Sequence, residues 1–228
     1  MSNYGNSTET PGISLPTLVA QLRNSCEAAA RFQAGSTCYA EEIGIFRRTA
    51  EELRLFLDTP PPELARSPDD EGNEHQVWFR PDSASFLKAT WPDHFGMLVV
   101  HRADEEPAAS PIAYLERWLL HNEIFGDSVE FLGALDTDQG MRLLISQPAI
   151  LGQPATDAQI KDFFTSSGWK RFQIANDIAY FEPQRQIVVS DTHRGNLILM
   201  GDGLLAPIDL RVQPLTPSLL DIVTKLTQ

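Results

Sequence analysis

Residues 187–196 read IVVSDTHRGN, an apolar run that breaks into an aspartate, a histidine and an asparagine. Asp191 and Asn196 are five positions apart, and Asp209 stands thirteen positions beyond Asn196. Carboxylates, amides and imidazoles ligate cations, and carboxylates and imidazoles also take or give protons at hydroxyl groups. Two chemistries use them in this order. An aspartate and histidine at a strand end can open a two-metal hydrolytic site. Alternatively, one carboxylate meets an acceptor hydroxyl while an amide and a second carboxylate hold Mg²⁺ against nucleotide phosphates. The first needs further ligands downstream, yet no histidine follows His193 and only Met200-Gly201-Asp202 could contribute. The second needs its groups to converge. A loop followed by the strand-turn-strand segment NLILMGDGLLAPID brings Asp191, Asn196 and Asp209 around one point.

The elements that must position these residues are legible as changes of period. The first residues, MSNYGNSTETPG, are polar with Gly and Pro and read as a disordered tail, 1–14. Helical spacing runs from Leu15 to Phe32 and again from Ala40 to Leu57, where Ile43, Phe46, Ala50, Leu53 and Leu57 form one stripe. These make an N-terminal helical region, 15–58. The proline- and acid-rich TPPPELARSPDDEGNE then reads as a linker, 59–73.

Beyond it the period becomes extended. HQVWF and ASFLKAT, joined by R-P-D-S, form a hairpin, and MLVVHR at 97–102 a third strand. SPIAYLERWLLHNEIF is a helix with Ser110 as N-cap and Pro111 at its first position. VEFLGAL and MRLLISQPAI are two more strands, closing a unit at 74–150. In the remaining unit, 151–228, a short helix at 156–165 precedes Gly168, the strand IVVSD leads into the loop, and a last helix spans 217–226.

Thirty-one acidic residues against eighteen basic ones leave a net charge of −13, which argues against nucleic acid or an anionic membrane as partner. The two cysteines, Cys26 and Cys38, fall in no CxxC pair and read as reduced thiols. The start lacks the basic-then-apolar order of a signal peptide, and no apolar run reaches membrane-spanning length. The expected location is cytoplasmic.

EHQVWF at 74–79, YLERWLLHNEIF at 114–125 and QPAILGQPATDAQI at 147–160 carry a resemblance. They follow the patterns E-H-Q-V-x-F, Y-L-x-R-x-x-L-H-N-x-x-F and a Q-P hinge followed by A-T-x-x-x-I. Residues 74–212 thus resemble the protein-kinase-like fold, and within it the small kinase-like domain of phage and mobile-element polyvalent proteins. The resemblance implies an α+β fold: a small antiparallel sheet with one helix, a hinge near Gln147, and a reduced C-terminal lobe. It implies ATP and Mg²⁺ as cofactors. Lys88, in FLKAT, would hold phosphates. Glu116, preferred over Glu123 on the same helix face, would orient Lys88. Asp191 would position the acceptor, Asn196 and Asp209 would bind metal, and Gln147 with Asp209 would border the nucleotide.

The chain departs from the kinase pattern in places. EGNEHQ offers one glycine, Gly72, where a glycine-rich loop would cover the phosphates. Val189-Ser190 precede Asp191, Leu210-Arg211 follow Asp209, and only residues 210–228 remain for an activation segment and substrate lobe. The acceptor surface is therefore minimal, and the N-terminal helices would supply packing or a protein-partner surface. An ATP- and Mg²⁺-dependent phosphotransferase is the first expectation. A pseudokinase that binds nucleotide or protein is the second, and a calcineurin-like metallophosphoesterase the third.

Overall fold

The computed structural model describes residues 13–33, 38–99, 108–174 and 177–226. The tail expected at 1–14 therefore lies, up to residue 12, outside the described residues. Two helices come first, α1 (Leu15–Gln33) and α2 (Tyr39–Glu52). The second stops short of Leu57 because Arg54 takes a positive φ of 55°. The chain then extends, and Phe56 pairs with Ala134 in a parallel bridge. This places Leu55 and Leu57 in two different apolar clusters, which one helix stripe could not do.

Residues 59–73 carry more structure than a linker. They form a 3-10 turn at Pro62–Ala65 and the short strand β1 (Asp70–Glu71). Glu63 pairs with Arg80 at 2.7 Å, and the Trp78 indole donates to the Arg66 carbonyl at 3.1 Å.

The hairpin is β2 (His75–Arg80) and β3 (Ser85–Thr90). Val77 faces Lys88 and Phe79 faces Phe86 across it. Cross-strand partners share a face, so His75, Val77, Phe79, Phe86 and Lys88 project the same way. Of the strand expected at 97–102, Met97 makes a single bridge to Ala108, and 100–102 lie outside the described residues. Helix α3 (Pro111–Phe125) starts as read: Ser110 Oγ accepts from Ala113 N–H at 3.1 Å, and Gly126 ends it at φ 69°. Strands β4 (Glu130–Thr137) and β5 (Gly140–Pro148) complete a five-stranded sheet of order β1-β2-β3-β5-β4.

The second half opens with β6 (Gly152–Pro154) and α4 (Asp157–Ser166), where Thr156 and Gln159 form a capping box. Then come β7 (Lys170–Ile174), β8 (Asp177–Glu182), β9 (Ile187–Ser190), β10 (Leu197–Met200), β11 (Leu205–Pro207) and β12 (Arg211–Pro214). They form a sheet β11-β10-β6 and a sheet β12-β9-β8-β7, and α5 (Pro217–Leu226) ends the described chain. The pairings between named strands are antiparallel, giving a mixed α+β fold. No helix among the described residues is long and apolar enough to cross a membrane.

Helix α3 is the hub. Leu115, Trp118 and Leu119 join Leu18, Leu22 and Phe46 of α1 and α2 in one core, while Leu120, Ile124 and Phe125 pack against the core of the second half. Apolar on the flanks toward both halves, the helix is largely buried, with Glu123 left exposed. The fully buried side chains, such as Leu115 and Trp118, each contribute about 2–3 kcal/mol of transfer free energy. The stripes of α1 and α2 are thus covered by α3. Because α3 lies between the two halves, polar side chains on its face toward the second half, Arg117 among them, are buried in the junction.

Candidate active site

Lys88 and Asp209, 121 positions apart in the chain, meet in that junction with Lys88 Nζ 3.7 Å from Asp209 Oδ2. Lys88 also donates to the Ile208 carbonyl at 3.3 Å and stands 5.1 Å over the Trp118 ring. It is buried, and burial pulls its ammonium below its ordinary pKa. Burial would push the Asp209 carboxyl up, but Lys88 and Arg117 outweigh it and hold the group well below the usual carboxylate range. Asp209 is thus held as the carboxylate by the cations beside it.

Glu116 is placed elsewhere. Its carboxylate accepts from Arg23 Nε of α1 at 2.6 Å, so the expectation that it orients Lys88 is corrected. The physical reason is the pitch of the helix: one residue on turns the side chain by about 100°, and it is Arg117 that faces the site. Arg117 Nη2 donates to Asp209 Oδ1 at 2.7 Å, Nε donates to the Leu210 carbonyl at 2.7 Å, and Nη1 pairs with Glu74 Oε2. Glu74 also accepts from Met97 N–H at 3.1 Å. His75 lies beside them, with Nδ1 3.9 Å from Asp209 Oδ2 and Nε2 2.9 Å from the Tyr114 hydroxyl. Burial lowers its pKa to about 4, so the imidazole is neutral at neutral pH. Glu74, His75 and Asp209 bring ligand atoms within 4.8 Å of one another. Arg117 and Lys88 already neutralise those two carboxylates, which makes the trio an ion-pair network first.

The loop after β9 holds the other residues. Asp191 takes a positive φ of 62°, a strained state for a non-glycine residue that aspartate tolerates better than most. It is fixed locally: its N–H donates to Asp177 Oδ2 at 2.9 Å, and its carbonyl accepts from Asn196 Nδ2 at 2.9 Å. The carboxylate lies 3.9 Å from Arg211 Nε and 3.5 Å from His193 Nε2. Burial raises its pKa above the ordinary value despite Arg211 and His193. Arg211 Nε is in turn 3.6 Å from Glu74 Oε1, so one arginine joins the loop to the network.

Gln147 is 2% exposed, and its amide donates to Asp127 Oδ2 at 2.6 Å and the Ile208 carbonyl at 2.9 Å. The side chain ties the end of β5 to the residue before Asp209. A cavity of about 810 Å³ opens behind it, lined by Phe125, Asp127, Pro148, Ile150, Phe163 and Leu204 among others. Neither Lys88, Asp191, Asn196 nor Asp209 borders that cavity.

Glu74, His75, Arg117 and Arg211 escaped the sequence reading. A signal for three of them existed, because Glu74, His75 and Arg117 occupy fixed letters of E-H-Q-V-x-F and Y-L-x-R, whereas Glu116 falls on the open letter. No curated protein and no solved structure matches the chain. A family model described as "Serine/Threonine/Tyrosine Kinase found in polyvalent proteins" matches residues 40–213, and so takes in α2 and residues 59–73, which the motifs left out. With the match spanning most of the sequence, the chain belongs to the kinase family of polyvalent proteins.

Proposed function

We propose that this protein is an ATP- and Mg²⁺-dependent phosphotransferase, with the five-stranded sheet and α3 as its smaller lobe, a hinge after Gln147, and a reduced second lobe. The observation that carries this reading is the meeting of Lys88 and Asp209 at 3.7 Å, beside a loop that ends in Asp191 and Asn196. The donor chemistry fits a hard cation: Asp209 is ionised, and Asn196 commits its N–H to Asp191 and keeps its carbonyl oxygen. Asp209 and Asn196 would hold Mg²⁺, which supplies charge neutralisation on the transferring phosphoryl group. Lys88 would neutralise phosphate. Val77, Phe79 and Phe86, partly or largely exposed on the face that carries Lys88, offer apolar surface to a base. Asp191, with its raised pKa, would orient the acceptor hydroxyl and take its proton.

ATP turnover, read as labelled phosphate transferred to protein or released, tests this. Asp191→Asn should lower the rate about a thousandfold while nucleotide still binds. Equal turnover in that variant would remove Asp191 from the chemistry.

One observation favours a second reading, a nucleotide-binding module without transfer. Asp209 Oδ1 is already occupied by Arg117, so a metal has fewer lone pairs to reach. Mg²⁺-dependent ATP binding with no turnover in the wild type selects that reading.

A further inference from the structure

We infer that Arg117 is the positioning residue of the cation site: it fixes the Asp209 carboxylate through Oδ1 and leaves Oδ2 presented to the metal. This deepens, and rests on, the nucleotide- and Mg²⁺-binding reading above. The helix beside the lysine thus contributes a cation where a carboxylate, Glu116, was expected.

Three contacts define the role. Arg117 donates to Asp209 Oδ1 at 2.7 Å and to the carbonyl of the following residue, Leu210 O, at 2.7 Å. A planar guanidinium offers these donors in a fixed fork, so it sets the orientation of the carboxylate as well as its charge. The neighbours of Oδ2 are looser, Lys88 at 3.7 Å and His75 at 3.9 Å, both beyond hydrogen-bonding distance. Lys88 acts on Asp209 through charge alone, its hydrogen bond going to the Ile208 carbonyl at 3.3 Å, whereas Arg117 makes the directional contact.

The third side of the guanidinium is backed by Glu74, and the fold makes room for that carboxylate. Gly96 adopts φ +80°, and a Cβ there would come within 2.9 Å of Glu74 Oε2. Met97 N–H and Arg211 hold the other oxygen, at 3.1 and 3.6 Å. Glu74 therefore acts on Asp209 through Arg117.

The test is the Mg²⁺ concentration that gives half-maximal ATP binding, measured on the full chain for wild type, Arg117→Lys and Glu74→Gln, with a thermal melt of each. Lysine keeps the charge and loses the fork. The midpoint should rise about tenfold or more in Arg117→Lys, while ATP affinity without Mg²⁺ stays within about twofold. Glu74→Gln should shift it in the same direction, and it carries the expectation alone where Arg117→Lys melts below the assay temperature. An unchanged midpoint in a folded variant would make Arg117 purely structural and overturn the inference while sparing the phosphotransferase reading. A lowered midpoint would show that Arg117 competes with the metal, which also overturns it. Absence of Mg²⁺-dependent ATP binding in the wild type would overturn both.

Discussion

Asp209 is held by side chains from three distant elements: Lys88 of β3, Arg117 of α3 and, more loosely, His75 of β2. Asp191 is held mainly by its own neighbourhood: Asp177 at the start of β8, and His193 and Asn196 in the same loop. The first arrangement can exist only when the two halves are packed together. The second is largely local, and two contacts couple it to the first: the Arg211 guanidinium, and the Ile208 N–H, which donates to the Asn196 backbone carbonyl at 2.9 Å. The end that would hold metal and phosphate is thus preorganised by the whole fold. The end that would meet the acceptor is a strained loop with an exposed histidine, suited to an acceptor whose shape the chain does not enclose.

That contrast can be broken by substitution, and the effects should fall in a definite order. Glu74→Ala leaves the buried Arg117 short of one of its two carboxylates, so it should cost about 3–5 kcal/mol in denaturant unfolding. A loss below about 1 kcal/mol would mean that the network does not depend on the packed junction.

A smaller effect is expected from pH. His75 ordinarily titrates near 6.5 and is held at about 4 in the fold, so the folded state refuses a proton that the unfolded state accepts between those values. The unfolded chain binds more protons throughout that window, so stability must fall as pH drops through it, by about 3 kcal/mol in all. His75→Gln should flatten the profile between pH 6.5 and 4, and an unaltered slope would assign the effect to other groups. Least of all, His193→Ala on the exposed side of the loop should change stability by no more than about 0.5 kcal/mol. A larger loss would show that the loop is tied into the fold more tightly than its contacts indicate.

The elements that a local pattern specifies were legible in the sequence. The β2–β3 hairpin, the capped α3 and the span of α5 all follow from periodicity and from Ser110, Pro111 and Pro217. Strands β7 and β8 went unread, although Phe172 and Ile174 alternate with exposed neighbours in the way a half-buried strand requires. The short β6 and β12 carry no period of their own and exist because β10 and β9 offer them partners. The candidate site divides along the same line. Asp191 and Asn196 share a loop, so their spacing exposed them. The choice between Glu116 and Arg117 turned on which side of α3 meets the second half, which is a tertiary fact. Arginine is expected outside, so its burial could not be read from residue type. The pairing of Arg117 with Asp209 across 92 positions follows from α3 lying between the two halves.

In the proposed function, Asp209 belongs to a nucleotide site completed by metal. Calorimetric titration of ATP into the protein with and without Mg²⁺, repeated on Asp209→Ala, tests it most directly. Binding that Mg²⁺ tightens by about tenfold or more, with that gain lost in Asp209→Ala, is the expected result. Equal binding without the metal, or in Asp209→Ala, would contradict it and leave the junction as a structural ion-pair network.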